Sequence, residues 1–361
     1  MELINTTALP ALLKISEISS DAAGRSVRLG SLIAKATFDV KPSGGLDLVD
    51  DPLPILEMEV PTELGIMPRD IAVPRPDGLE VMVLAAAYAP RAQPVREMTA
   101  ILQFGDQRRE LSVTGDRTWV ETEEGWAMTE PLPFVRMPLS WSRTFGGTAE
   151  VWIDASSPMD VRHPYNADGR GFDPTPHADG VEKTFGCPEG FPRIEYDWAA
   201  PNVEHPAHRV RARTDQPEPC CWAPMPIALG LRAKPMSDAI GAGTDPTASA
   251  TDRMEQAKLA SGGDAALWFA HPDLRLPVAN PGTLVQLSGC RSEGDWRFVW
   301  PDLRVAADYV LGDRAGVRPL TAQAALLLPE QGRVAITYRC WFRFMLDSPE
   351  TERSIRLRIT D

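Results

Sequence analysis

The sequence predicts a mainly β protein: an antiparallel β-sandwich-like scaffold with a long Pro/Trp-rich irregular insertion and one or two short helices. Two observations favour this fold class. Apolar and polar residues alternate with a period of two in several segments, which is typical of strands with one buried face. In addition, 34 of the 361 residues are proline, and each proline inside a helix costs about 3 kcal/mol. A fold made of long helices is therefore excluded.

The N-terminal third contains the first predicted strands. Residues alternate from Ser31 to Val40, as in a half-buried strand. The almost wholly apolar run from Leu79 to Tyr88 is typical of one central strand covered on both faces. Gly105-Asp106 lies between the alternating segment Met98–Phe104 and the segment Glu110–Val113, which predicts a hairpin.

Strands return near the C-terminus. Short strands are predicted at Leu284–Leu287 and Trp296–Trp300. Alternation is then unbroken from Val334 to Leu346 and resumes from Ile355 to Ile359, with Ser348-Pro349-Glu350 as the turn between them. We expect this last pair of strands to complete the N-terminal sheet and to bring the chain ends together. Several arginines of this region are expected on the solvent face of the strands: Arg333, Arg339, Arg343, Arg353, Arg356 and Arg358.

Four regions follow from these patterns. Residues 1–130 form an N-terminal β-sheet region, and residues 131–235 form the irregular insertion, in which 16 of 105 residues are proline. Aromatic residues recur along the insertion, so we interpret it as ordered rather than as a flexible linker. Its tryptophans are Trp141, Trp152, Trp198 and Trp222.

The third region, residues 236–270, carries the helical signals. Thr247–Leu259 has spaced apolar residues after a proline start and before two glycines, and Ala265–Phe269 is a candidate for another short turn. The fourth region, residues 271–361, is predicted to be a β region that packs on the N-terminal sheet.

The net charge and the cysteine content indicate which partners the protein binds and where in the cell it is expected. With 37 basic and 50 acidic residues, the net charge is −13, which disfavours binding to nucleic acid. No apolar run reaches the ~18–20 residues that a membrane helix needs, so we expect no membrane insertion. Five cysteines without framework spacing are expected as reduced thiols. The first residues lack the charge order of an export signal, so the expected location is cytoplasmic.

Standard catalytic motifs are missing from the sequence. It has neither a phosphate-binding Gly-x-x-x-x-Gly-Lys loop nor a Gly-x-Ser-x-Gly nucleophile motif. We expect a protein that is not an enzyme and needs no cofactor. The alternative is a hydrolase or carbohydrate-active enzyme with its site in the insertion, where a polar pocket would gather His163, Asp168 and Arg170.

The spacing of the histidines and cysteines does not predict a metal site. Of the five histidines, only His205 and His208 are close together, and Cys220-Cys221 follows a dozen residues later. Zinc sites usually combine ligand pairs separated by about two to four residues, and no second pair completes the set. We therefore interpret these residues as polar loop histidines and buried thiols, and expect no metal.

One string in the insertion resembles a known signature. Residues 138–147, Pro-Leu-Ser-Trp-Ser-Arg-Thr-Phe-Gly-Gly, are similar to the Pro-Leu-Ser-Trp-x-Arg-x-Phe-Gly-Gly motif of the bacterial domain-of-unknown-function family DUF2169. The string Gly115–Trp119 resembles the family's Gly-Asp-Arg-x-Trp motif, and Asn166 with Gly169–Phe172 resembles its Asn-Pro-x-Gly-x-Gly-Phe stretch. The resemblance extends from about residue 26 to residue 310.

This resemblance implies a role in type VI secretion without catalysis. Members of the family are thought to be adaptors or chaperones that load one effector, or its PAAR-like domain, onto the VgrG spike. A structural spike component is a further alternative. The matching residues are structural or partner-binding, and we favour a structural role. They are Asp116, Arg117, Trp119, Trp141, Arg143, Phe145, Gly146, Gly147, Asn166, Arg170 and Phe172.

Overall fold

The computed structural model describes residues 1–20, 26–70, 78–175, 187–195, 198–232, 268–345 and 353–360. Within these residues the fold is mainly β, as predicted. The strands are β1 (Glu2–Asn5), β2 (Ala11–Ser20), β3 (Ser26–Val40), β4 (Leu46–Leu48), β5 (Val60–Thr62), β6 (Gly65–Met67), β7 (Leu79–Val83), β8 (Ala86–Tyr88), β9 (Glu97–Phe104), β10 (Gln107–Thr114), β11 (Trp119–Thr122), β12 (Gly125–Met128), β13 (Arg136–Pro138), β14 (Phe145–Gly146), β15 (Thr148–Asp154), β16 (Ser157–Arg162), β17 (Arg170–Gly171), β18 (Arg193–Glu195), β19 (Val203–Glu204), β20 (Arg275–Leu276), β21 (Leu284–Ser288), β22 (Trp296–Val299), β23 (Arg304–Leu311), β24 (Arg314–Pro319), β25 (Thr321–Leu328), β26 (Arg333–Met345) and β27 (Arg353–Thr360).

Helical structure among these residues includes four single turns of 3-10 helix. Each is three residues long, and three of them begin with proline, whose fixed φ suits the first helical position. The turns are Pro90–Ala92, Trp141–Arg143, Pro272–Leu274 and Pro329–Gln331.

Three larger sheets form the scaffold. The first has seven strands in the order β2-β3-β26-β25-β7-β20, with β4 paired to β3, and is antiparallel except where β25 meets β7. The second is the antiparallel sheet β19-β10-β9-β21-β22, and the third is β1-β27-β23-β24. The hairpin predicted at Gly105-Asp106 is confirmed, because β9 and β10 pair across it.

A single large hydrophobic cluster joins the three sheets. It includes Val334 and Ile336 of the first sheet, Leu102 and Phe298 of the second, and Leu357 of the third, all less than 2% exposed. Burial of a large apolar side chain contributes roughly 1.5–3 kcal/mol. The shared cluster therefore holds the sheets in a sandwich-like arrangement.

The prediction of one strand from Leu79 to Tyr88 was wrong. The chain leaves the first sheet after β7, and β8 pairs instead with β13. At the break, the amides of Val83 and Leu84 donate to the carbonyls of Trp222 and Leu327, at 2.9 and 3.0 Å. The segment is buried both before and after the break. The sequence therefore shows no change of hydrophobic period at the point where the chain changes sheet.

The prediction for the last two strands was half right. Strand β26 pairs with β3 over its whole length, as expected. However, β27 lies in the third sheet, where it pairs in parallel with β1, so the two ends of the chain meet in that sheet. The solvent-face prediction fails at Arg339, which is only 3% exposed, because the segment that carries Asp70 covers that part of the sheet.

The insertion is irregular but anchored. Trp141 and Trp222 are buried in the main core, and a small sheet with the order β16-β15-β18 crosses the segment. The predicted helix at Thr247–Leu259, and most of the predicted turn at Ala265–Phe269, lie outside the described residues.

Two buried thiols lower the stability at alkaline pH. Burial raises the pKa of Cys290 and of Cys340 to about 12 from 9.0. Above pH 9 the unfolded chain loses thiol protons that the folded state retains, so stability falls as the pH rises toward 12. Between pH 8 and pH 10, we expect the Cys290→Ala/Cys340→Ala variant to lose roughly 2–3 kcal/mol less stability than the wild type. Urea unfolding at both pH values measures this difference, and equal losses would contradict it.

Candidate functional site

The signature string forms one turn of helix followed by a very short strand. Trp141–Arg143 is the helical turn, and β14 pairs in parallel with β17. The indole Nε1 of Trp141 is buried and donates to the carbonyl oxygens of Ala223 and Pro224, both at 3.1 Å. The tryptophan therefore ties the signature to the chain that enters the main core near Trp222.

Asn166 stabilises this turn through hydrogen bonds. Its side chain is fully buried, and Nδ2 donates to the Trp141 carbonyl at 2.9 Å, to Thr144 Oγ1 at 2.9 Å and to the Phe145 carbonyl at 3.1 Å. Its backbone oxygen accepts from the Gly147 amide at 2.8 Å. One amide thus satisfies polar groups that the short turn leaves without helical partners.

The two signature glycines are required by backbone geometry. Gly146 and Gly147 have φ values of +137° and +124°, which side-chain-bearing residues rarely adopt. A Cβ atom on Gly146 would lie 2.1 Å from the Asn166 carbonyl oxygen. This close approach lets the amide of Phe172 donate to the Gly146 carbonyl at 2.9 Å.

The aromatic signature residues pack inside the protein. Phe145 and Phe172 are 2% and 4% exposed, and both rings make edge contacts with His163, at centroid distances of 5.2 and 5.3 Å. Phe145 also packs with Trp119 and Val210 in a second small core. These residues therefore serve as core side chains.

A buried ion pair joins Arg117 to Glu204 beneath the surface. Arg117, 8% exposed, donates to the Pro201 carbonyl at 3.0 Å and to Glu204 Oε2 at 2.6 Å. The other oxygen of Glu204 accepts from the Val210 amide at 2.6 Å. Burial raises the pKa of Glu204, and the charges of Arg117 and Arg209 oppose that rise. The pair fixes β19 against the loop that precedes β11.

One group of charged signature side chains reaches the surface. Asp116 accepts from Arg143 NH1 at 2.9 Å and from Asn202 Nδ2 at 3.0 Å, and lies 3.6 Å from Arg170 NH1. Asp116 is half exposed, whereas the two arginines are mostly covered. The structure thus brings the eleven predicted residues into one neighbourhood, where most of them stabilise its fold. Asn202 and Glu204 were not identified from the sequence because they lie outside the motifs, and Thr144 was not identified because it occupies an unspecified position of the signature.

The pocket required by the enzyme alternative does not form from its three residues. His163 is buried between aromatic rings and accepts from the Asn166 amide at 3.2 Å through Nδ1. Arg170 instead reaches the Ser142 carbonyl at 3.2 Å, on the side of Asp116. Asp168 is exposed.

An exposed apolar surface borders the signature. It consists of the β11–β12 hairpin and the segment that follows, and we name it the 120–135 surface. Trp126 stacks on Trp198 with ring centroids 4.5 Å apart, and the Arg213 guanidinium lies 4.6 Å from the Trp126 ring. The large apolar side chains exposed in this segment are Val120, Trp126, Leu132 and Val135. Val120 and Trp126 point to opposite sides of the hairpin, because Val120 is paired with Ala127 and Trp126 with Glu121. Leu132 is 61% exposed, and its amide donates to the Asp116 carbonyl at 2.8 Å.

Comparison with models of protein families identifies the family of the chain. The model of a family described as "Uncharacterized protein conserved in bacteria (DUF2169)" matches residues 25–339. No curated protein and no solved structure matches the chain. Within the described residues, no helix is long and apolar enough to cross a membrane.

Proposed function

Because the chain belongs to the DUF2169 family, we propose that it is an adaptor or chaperone of a bacterial type VI secretion system. In this proposal it acts in the cytoplasm, binds one effector or the PAAR-like domain of that effector, and loads it onto the VgrG spike. It acts by protein binding and catalyses no reaction. The observation that carries the proposal is the signature at residues 138–147 within a family match that covers most of the chain.

The 120–135 surface supports a binding role. Four large apolar side chains are exposed within this one segment, and clusters of exposed apolar side chains often mark interaction sites. Tryptophan and arginine are the residue types that most often dominate binding energy at interfaces. Here the Arg213 guanidinium lies over the Trp126 ring, 4.6 Å from its centroid. The signature beneath it supplies a rigid base, which lowers the entropic cost of binding.

The proposal is tested by a pull-down from the native host under conditions in which secretion is active. Mass spectrometry identifies the partners, and light scattering gives the mass of the complex. We expect one dominant effector or PAAR-like protein at fixed stoichiometry. A repeating assembly with spike proteins would favour the structural alternative. Recovery of no protein partner would overturn the proposal and favour the enzyme alternative.

Loss of the exposed tryptophan is expected to weaken partner binding. We expect Trp126→Ala to raise the Kd for the captured effector at least about 10-fold, because truncation of an interface hot spot costs roughly 2 kcal/mol or more. Leu132→Ser is expected to weaken binding in the same direction. Isothermal titration calorimetry with the purified effector measures both changes.

Val317→Ser is the matched control for Leu132→Ser. Val317 is 58% exposed, almost as much as Leu132, but it lies on β24 in the third sheet. We expect this variant to bind like the wild type. Equal weakening by both serine variants, or by neither, would show that the 120–135 surface is not the partner site.

A further inference from the structure

Strand β2 leaves one side of the first sheet open. It is an end strand of that sheet and is ten residues long. The Lys35 amide of β3 donates to the Pro10 carbonyl at 3.0 Å, just before β2 begins. In an antiparallel pair, residues that bond to the partner strand alternate with residues whose N–H and C=O groups point the other way. The residues of β2 whose backbone groups point away from β3 are therefore Ala11, Leu13 and Ile15.

This open edge has defined ends. Its outward backbone groups have no hydrogen-bond partner among the described residues. On the N-terminal side, the Leu9 amide donates to Thr7 Oγ1 at 3.1 Å, and the Leu9 carbonyl accepts from Asn5 Nδ2 at 2.8 Å. On the other side, a β-bulge lies between Glu17 and Ser19, and a bulge bends a strand. The regular open edge is therefore the run from residue 11 to residue 15.

The other end strands of the three large sheets are short or blocked. Strands β19 and β20 have two residues each, and β1 has four. In β22, the Val299 amide donates to the Gly44 carbonyl of a covering loop at 3.2 Å. Strand β24 contains two arginines and ends at Pro319. Shortness, covering loops, charge and proline are the usual means by which proteins keep sheet edges from pairing. Between residues 11 and 15 of β2, Lys14 is the single residue of this kind.

Apolar side chains are exposed along the same edge. Ala11 and Leu13 pack against the main core, and Ile15 lies on the same face of β2 because successive side chains alternate. Ile15 is nevertheless 41% exposed. The Met1 methyl group lies beside Gly30, which is the partner of Ile15 in β3, and Met1 is 37% exposed. A strand added to β2 would cover these side chains and also pair with the outward backbone groups.

From this geometry we propose that a second copy of this chain supplies the added strand, so that two β2 strands pair antiparallel across a two-fold axis at Leu13. Each outward residue then exchanges both of its backbone hydrogen bonds with the residue opposite. Ile15 lies opposite the partner's Ala11, so that a large side chain meets a small one. Lys14 lies opposite the partner's Leu12 rather than the partner's Lys14, which avoids a pair of like charges.

The symmetry of the run favours a second copy over a different protein. A two-fold dimer requires one surface that is complementary to itself. The open edge meets this requirement, because its outward residues lie at equal spacing on either side of Leu13 and all three are apolar. The limits at Leu9 and at the bulge also lie on either side of Leu13, so the register is fixed at both ends. The dimer uses none of the residues of the 120–135 surface and does not depend on the adaptor proposal.

Sedimentation equilibrium of the purified chain over a range of concentrations tests the dimer. We expect a mass of twice 39.6 kDa at the highest concentration. Ile15→Lys should raise the Kd of the dimer at least about 10-fold, because the charge enters the paired edge twice. Hydrogen exchange measured by mass spectrometry should be slower over residues 11–15 in the wild type than in Ile15→Lys, since pairing protects the outward amides.

Further variants separate strand pairing from folding. Ile15→Pro removes an amide that points away from β3, so the chain should fold normally and the dimer should still weaken. Val317→Lys adds the same charge as Ile15→Lys at an exposed position of β24 and should leave the Kd unchanged, as should Trp126→Ala. A mass of 39.6 kDa at every concentration, or a dimer that neither Ile15 variant weakens, would overturn the proposal. Protection of residues 11–15 only in the presence of the captured effector would overturn it in favour of a strand from another protein.

Discussion

Arg117→Ala is expected to lower the free energy of unfolding by about 3–5 kcal/mol at pH 7, which is the usual cost of removing one partner from a buried ion pair. The variant leaves the Glu204 carboxylate, 2% exposed, without its closest counter-charge. Chemical denaturation monitored by tryptophan fluorescence measures the change. The loss is large compared with the 5–15 kcal/mol that typically stabilises a domain.

The same variant has a defined pH dependence. Burial already raises the pKa of Glu204, and loss of the Arg117 charge raises it further. As the pH falls below this raised pKa toward 4.5, the folded variant takes up a proton before the unfolded chain does. The difference in free energy of unfolding between the variant and the wild type therefore becomes smaller. The double variant Arg117→Ala/Glu204→Gln should recover part of the lost stability at pH 7. A deficit independent of pH, and unchanged in the double variant, would contradict this explanation.

Gly146→Ala is expected to destabilise the protein by about 4 kcal/mol or more, by combining positive-φ strain with overpacking. The added Cβ would lie 2.1 Å from the Asn166 carbonyl oxygen, so β14 and the segment that carries Asn166 would have to separate. Thermal unfolding and the yield of soluble protein measure this effect.

Gly125→Ala is the matched control. Gly125 also has a positive φ, +111°, but a Cβ there meets no atom within 4 Å. We expect the free energy of unfolding of this variant to fall by only about 1–2 kcal/mol, which is the cost of the backbone strain. If the two alanine variants were equally stable, close packing against Asn166 would not explain the Gly-Gly signature.

The strands were predictable where apolar and polar residues alternate in the sequence. The alternation of β26 and the turn between β9 and β10 are local signals, and both predictions are confirmed. Local signals fail where a run is uniformly apolar, or where the burial of a residue depends on a distant part of the chain. The uniform run at Leu79–Tyr88 conceals a change of sheet, and burial of Arg339 depends on a segment about 270 residues earlier in the chain.

The signature was found by resemblance, but its role follows from the structure. The sequence leaves open whether Asn166 and Arg117 bind a partner or support the fold. Their hydrogen bonds end on buried backbone and side-chain atoms, which indicates support. The proximity of Cys220, His271 and Asp273 was not predicted, because these residues approach one another only through tertiary packing.

Deletion of the gene in the native host, followed by analysis of secreted proteins, tests the adaptor proposal most directly. The account predicts that one effector disappears from the medium, while the other effectors and the spike are still released. Expression of the wild-type chain should restore that effector, and the Trp126→Ala variant should restore it less. Loss of all secretion, or unchanged release of every effector, would contradict the proposed adaptor function.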